Sequence, residues 1–115
     1  MIVTDHKEGL VSLAVFGEFT LADIREFEEV VNFKVQFEGQ VNLFVDLRQM
    51  AGFTLDVALE EIKFSRAHAG DFGRVAVLAN SQWVSLSAWL SGIFAEAQIS
   101  SFADEADARA WLAEA

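Results

Sequence analysis

The sequence predicts an α/β domain with a four-stranded, mostly parallel sheet, an antiparallel strand at its N-terminal edge and about four helices. Three observations lead there. Apolar runs of strand length alternate along the chain with stretches whose apolar residues recur at helical spacing. The run Val41-Asn42-Leu43-Phe44-Val45-Asp46 ends in an acid, passes a glycine-containing turn at Ala51-Gly52 and enters a helix at Thr54, which is one βα unit of a parallel sheet. The resulting order, β-β-α-β-α-β-α-β-α, closes into one sheet when the crossovers are right-handed.

Each element has its own warrant. Ile2 to Asp5 pairs antiparallel with the next strand through a turn at Lys7-Glu8-Gly9. Leu10 to Glu18 alternates, with Val11, Leu13 and Val15 on one side and Ser12, Ala14 and Phe16 on the other. Thr20 with Asp23 forms a capping box, and Leu21, Ile24, Phe27 and Val31 then follow at helical spacing. A competing period of two runs through Val31, Phe33, Val35 and Phe37, but Gly39 is a helix terminator, so the helix is taken to Glu38. The strand Val41 to Asp46 follows. Thr54 caps a helix with Leu55, Ala58, Leu59 and Ile62 inward, and Gly70 ends it. Gly73 to Ala79 is a core strand, and Ser81 opens a helix carrying Trp83, Leu86, Leu90 and Phe94. Ile99 to Phe102 makes a short last strand, and Asp104 caps a terminal helix that returns Ala108, Trp111 and Leu112 to the core.

The two faces of the sheet are unequal. Val11, Leu13, Val15, Val41, Leu43, Val45, Val75 and Val77 make one heavily apolar face, whereas the other (Ser12, Ala14, Phe16, Asn42, Phe44, Ala76, Leu78) is smaller and mixed. Helices are therefore expected to cover one face densely and the other sparsely, leaving the second available to a partner or a cavity.

Composition bounds the function. The 115 residues contain no long linker-like run, so one domain over 1–115 is expected, large enough to build a core without staples. There is no cysteine, which removes disulfides, thiolate metal sites and a cysteine nucleophile. The first residues lack the basic and apolar regions of a secretion signal, and no apolar run approaches the ~18 residues of a membrane span, so a cytoplasmic protein without membrane insertion is expected. A net charge of −10 repels phosphate backbones, which argues against nucleic-acid binding. Fifty-three per cent hydrophobic residues, including 11 Phe and 3 Trp, exceed what so small a core is expected to hide.

No constellation of catalytic residues emerges. The histidines at 6 and 68 share no spacing with a second metal ligand, and His68 reads as a dipole partner at a helix C-terminus. The serines lack a G-x-S-x-G elbow, and no phosphate-cradling glycine loop is present. Asp56 and Glu60 sit at helical spacing, as acid pairs on a solvated face do. No metal, cofactor or enzymatic activity is predicted. Two apolar features remain. Phe53, Val57 and Phe64 fall away from the inward stripe of their helix, with Arg48 and Lys63 nearby, and form a candidate interface. Phe27, Val31, Trp83 and Trp89 are candidate lining of a pocket for an apolar ligand.

The pattern strand-Asp46-Leu47-Arg48-x-Met50-x-Gly52-Phe53-Thr54, followed by Arg74 to Leu78, Gln82-Trp83, Phe102 and Ala106 through Ala110-Trp111-Leu112, resembles the SpoIIAA-like family of small bacterial STAS-like domains. The resemblance spans nearly the whole chain. It implies a superhelix of βα units related to anti-sigma-factor antagonists and, more distantly, to the lipid-binding CRAL-TRIO domain. In the antagonists a phosphorylatable serine in an Asp-Ser-x-Gly run opens the helix after the Asp-ended strand. The matching hydroxyl here is Thr54, which lacks both the serine and the following glycine, and Asp56 and Glu60 oppose added negative charge there. Two functional expectations follow. One is a non-enzymatic interaction domain that forms a homodimer or binds a protein partner through the Phe53 surface, and the other is a carrier or sensor of a small, lipid-like molecule.

Overall fold

A computed structural model of the chain describes residues 1–54, 56, 60, 63, 67, 70–80 and 97–114. Its continuous elements are β1 (Ile2–Lys7), β2 (Leu10–Phe19), α1 (Leu21–Glu38), β3 (Val41–Phe53), β4 (Phe72–Leu78), β5 (Gln98–Phe102) and α2 (Glu105–Ala113). The strands form one five-stranded sheet in the order β1-β2-β3-β4-β5. β1 is antiparallel to β2, and every other neighbouring pair is parallel. Strands that advance in one direction through right-handed crossovers place their connections on a single face. α1 lies on that face, and the helical residue Glu60 meets Glu28 of α1 there. α2 follows the last strand and packs on the opposite face, over β3, β4 and β5.

Helix α1 starts and stops where local chemistry directs. Thr20 Oγ1 accepts the Asp23 N–H at 3.3 Å and Asp23 Oδ2 accepts the Thr20 N–H at 3.1 Å, the reciprocal pair that satisfies two donors at a helix start. At the other end the Gly39 N–H donates to the Val35 carbonyl at 2.9 Å. Ile24, Phe27 and Val31 turn inward, and Lys34 joins them in the interior, its ammonium paired with Glu38 one turn on. The period-two aromatics take the outer side, where Phe33 is 55% and Phe37 71% exposed.

The core has two unequal parts, as the face asymmetry predicts. Val11, Leu13, Val15, Val41, Leu43, Val75 and Val77 bury against Ile24, Phe27 and Val31 of α1. On the other face Phe44, Ala76 and Leu78 bury against Ala108 and Leu112 of α2, with Trp111 and Phe102 alongside. Fully burying an aliphatic side chain of this size contributes about 1.5–3 kcal/mol, so the first cluster dominates the stability.

Two expectations need correction. The strand expected to end at Asp46 runs on to Phe53, because β2 continues to pair with it as far as Phe19↔Phe53. β3 carries an extra residue at two places in this stretch, 46–49 opposite 14–16 and 50–52 opposite 17–18. Such bulges reset which way side chains point. They bring both Leu47 and Met50, three positions apart, into the main core, where regular alternation would send them to opposite faces. Gly17, at the second irregularity, has a φ of 71°, a conformation that glycine adopts without strain. The helix count also differs, since the described residues hold two continuous helices against about four expected. Asp56, Glu60, Lys63 and Ala67 are helical. The rest of the helix expected from Thr54, and the whole of the one expected from Ser81, fall outside the described residues. No helix among the described residues is long and apolar enough to cross a membrane.

Candidate functional site

The prolonged β3 carries the site that the sequence singles out. Asp46 and Arg48 lie two residues apart on the strand. The guanidinium grips the carboxylate with Nε to Oδ1 at 3.1 Å and Nη2 to Oδ2 at 2.9 Å, and the Arg48 N–H adds a further bond to Oδ1 at 3.0 Å. This two-pronged geometry is the strongest arrangement available to such a pair. The hydrogen bond to Asp46 holds the Arg48 charge more firmly than usual. Arg48 Nη2 also reaches Glu105 Oε1 at 3.3 Å, and Glu105 Oε2 accepts from Arg109 Nε at 3.0 Å. Arg109 in turn stacks over the Phe44 ring at 4.5 Å. The chain Asp46–Arg48–Glu105–Arg109 thus ties β3 to the first turn of α2. Asn80 Nδ2 donates to the Arg48 carbonyl at 3.3 Å, fastening the same stretch to the end of β4.

Beyond this network β3 ends in Phe53, which is 39% exposed. Thr54 follows, half-buried, with its hydroxyl donating to the Asp56 carboxylate. Lys63 is exposed on the helical stretch. The structure therefore puts Phe53 and Thr54 together at the carboxyl end of β3, while Arg48 is committed to Asp46 and Glu105. Val57 and Phe64, the other two residues of the candidate interface, fall outside the described residues. Of the candidate pocket, Phe27 and Val31 are 6% and 0% exposed in the core beneath α1, and Trp83 and Trp89 fall outside the described residues.

Sequence reasoning passed over two features. The Glu105/Arg109 pair had a signal, its spacing of four residues within a helix. The second had none that local spacing could supply, because Glu60 meets Glu28 of α1 across the fold. Burial raises Glu28 from an ordinary value of 4.5 to about 7, and the neighbouring Glu60 charge and the hydrogen bond between the two carboxyls add to the rise against the opposing pull of Arg25. Its Oε1 is buried without a hydrogen-bond partner. At the opposite end of the sheet a shallow cleft of about 440 Å³ is lined by Gly9, Leu10, Asn42, Arg109 and Leu112. It lies at the amino ends of β2 and β3, whereas ligands of parallel sheets gather at the carboxyl ends. Among the described residues no group of three or more acidic or histidine side chains is placed to hold a metal.

Comparison with known proteins agrees with the architecture. The family model described as SpoIIAA-like matches residues 10–113. No curated protein matches significantly. Among solved structures, an uncharacterized protein of the DUF3478 family with a SpoIIAA-like fold from Shewanella loihica superposes with a TM-score of 0.78 at 18% identity, over 97% of this chain and 92% of that one. The anti-sigma factor antagonist SpoIIAA in its unphosphorylated form gives a TM-score of 0.67 at 13% identity, over 100% of both chains. An anti-sigma factor antagonist from Mycobacterium paratuberculosis gives 0.63 at 17% identity, over 98% of this chain and 93% of that one.

Proposed function

The chain belongs to the SpoIIAA-like family, and from that premise we propose that it is a non-enzymatic regulatory domain that binds a protein partner at the carboxyl end of β3. The observation that supports this most directly is Phe53, a large ring left 39% exposed where the strand hands over to the next helical stretch. A ring of this size on a rigid strand end is the kind of anchor that dominates protein interfaces. On sequence spacing alone, the proposal includes Val57, Phe64 and Lys63 as candidates for the same surface. Arg48 acts from behind, since its bonds to Asp46 and Glu105 hold the strand end in place rather than leaving the guanidinium to a partner. The names of two similar proteins point to a partner of the anti-sigma-factor class. A carrier role has less support, because Phe27 and Val31 would have to leave the core contacts they make.

The test is a side-by-side affinity capture from the native host with wild-type protein and Phe53→Asp, each checked for folding by circular dichroism. Loss of one specific interactor, with the fold intact, is the expected result. An identical set of captured proteins for the two would remove Phe53 from the interface. The Thr54 hydroxyl is tested in the same material, where Asp56 beside it is expected to keep it unphosphorylated. A phosphothreonine at 54 by mass spectrometry would overturn that expectation.

A further inference from the structure

β1 is an open sheet edge, and its composition is unusual for one. Natural edge strands are blunted by proline, bulges or clustered charge. This chain has no proline, β1 pairs with β2 in unbroken register, and Ile2–Lys7 carries one acid and one lysine, so it is formally neutral in a molecule of net charge −10. The strand itself therefore adds no net like-charge repulsion between two copies. Exposed apolar side chains collect at the same edge. Val3 is 53% exposed and shares the α2 side of the sheet with Met1 and Phe16, 68% and 38% exposed. α2 packs over β3 to β5 and leaves this part of the sheet open. On the other side α1 lies over β1 and β2, with its Glu28 flank toward Glu60. Phe33 and Phe37, with ring centroids 4.8 Å apart, stand on the outer side, away from that flank.

The free backbone groups of β1 select a register. Met1 and Phe16 exchange both backbone bonds, at 2.8 and 3.0 Å, so the odd-numbered residues of β1 bond inward to β2 and the even-numbered ones point to the open edge. Of these, the His6 N–H is already taken by the Asp5 carboxylate at 2.9 Å, which leaves the N–H and C=O of Ile2 and Thr4. An antiparallel partner that uses these two residues and no others is a second β1 with Ile2 opposite Thr4. A register centred on Thr4 would need the His6 N–H, and one centred on Asp5 would set the two Asp5 carboxylates against each other.

We propose that β1 is a self-association edge, at which two copies of the chain pair antiparallel about a two-fold axis through Val3 and join their two sheets into one. Val3 then faces Val3 of the second copy in a non-hydrogen-bonded pair. With strands about 4.8 Å apart and α1 centred on β2, the two α1 axes stand roughly 14 Å apart, wider than the 8–10 Å of directly packed helices. The surface is separate from the Phe53 surface, and either stands if the other fails.

Facing residues in a non-hydrogen-bonded antiparallel pair have Cα atoms about 4.5 Å apart, within the span of a disulfide. The chain contains no cysteine, so Val3→Cys has no background. Under mild oxidation, Val3→Cys at micromolar concentration is expected to run as a covalent dimer, whereas Lys7→Cys, whose two copies would lie roughly 26 Å apart, stays monomeric. In sedimentation of the cysteine-free protein, Thr4→Pro removes only an outward N–H, which an edge strand tolerates, and is expected to weaken the dimer about tenfold or more. Val3→Asp, which sets two carboxylates against each other at the axis, is expected to do the same on an exposed side chain, which covers the case in which Thr4→Pro misfolds. Wild-type protein that sediments as a monomer at 100 µM, a dimer indifferent to all these changes, or Lys7→Cys cross-linking as well as Val3→Cys would overturn the proposal. So would a Val3→Cys cross-link, formed in host extract, to a different protein only.

Discussion

Replacing Glu28 by glutamine should stabilise the protein at alkaline pH and leave it unchanged in acid. In the folded chain burial, with Glu60 alongside, raises this carboxyl from 4.5 to about 7. A raised acid means that the folded state holds a proton the unfolded state releases. Stability is therefore fully present below about pH 4.5 and is lost as pH rises toward 7. The full shift corresponds to about 3 kcal/mol at 1.36 kcal/mol per pH unit, an upper bound because Glu28 is only half-buried and water screens it. After that discount about 1–2 kcal/mol remains. For a chain of this length 1 kcal/mol moves the midpoint by about 4 °C, so Glu28→Gln should raise Tm by about 4–8 °C at pH 8. At pH 4, where position 28 is almost uncharged whether it holds glutamate or glutamine, the difference should nearly vanish. The assay is thermal unfolding followed by circular dichroism at the two pH values. A Tm difference of the same size and sign at both, or a lower Tm for the variant at pH 8, would refute the reading that Glu28 holds its proton in the folded state.

Two further predictions concern the core and one tight contact. Leu43→Ala, at a position 1% exposed in the centre of the main cluster, should cost about 2–5 kcal/mol in urea unfolding, and a cost under 1 kcal/mol would mean that the core is looser than this packing. A Cβ at Gly73 would come within 2.6 Å of Asn42 Oδ1, the atom that accepts the Arg74 N–H at 2.8 Å. Gly73→Ala should therefore cost about 1–2 kcal/mol, and once Asn42→Ala has removed that oxygen the further cost should be small. Additive losses in the double variant would show that the clash is not the cause.

Much of the scaffold was legible because its signals are local. The capping box at Thr20 and Asp23, the stop at Gly39 and the alternation of Val11, Leu13 and Val15 each depend on residues within one turn or one strand, and each lies where the spacing predicted. The competition over Val31 to Phe37 was settled the same way. A helix that buries Ile24, Phe27, Val31 and Lys34 sends Phe33 and Phe37 outward, whatever period-two pattern the letters suggest. The candidate site was less legible. Arg48 was expected near the Phe53 surface from its place in the sequence, and nothing in the sequence indicated that it binds Glu105, a residue 57 positions away.

The residue string alone determined where the described strands and the two continuous helices begin and that one face of the sheet would be richer in apolar side chains than the other. Periodicity and caps are written within a few neighbouring positions. Tertiary structure decided how far β3 runs, because its length is set by the β2 partner and by two bulges that turn Leu47 and Met50 to the same side. It also decided which charges meet and which apolar side chains stay outside, since Glu28 with Glu60 and the open flank of β1 exist only once distant parts of the chain are packed together. Such pairings are set by three-dimensional distance, and no spacing along the sequence encodes them.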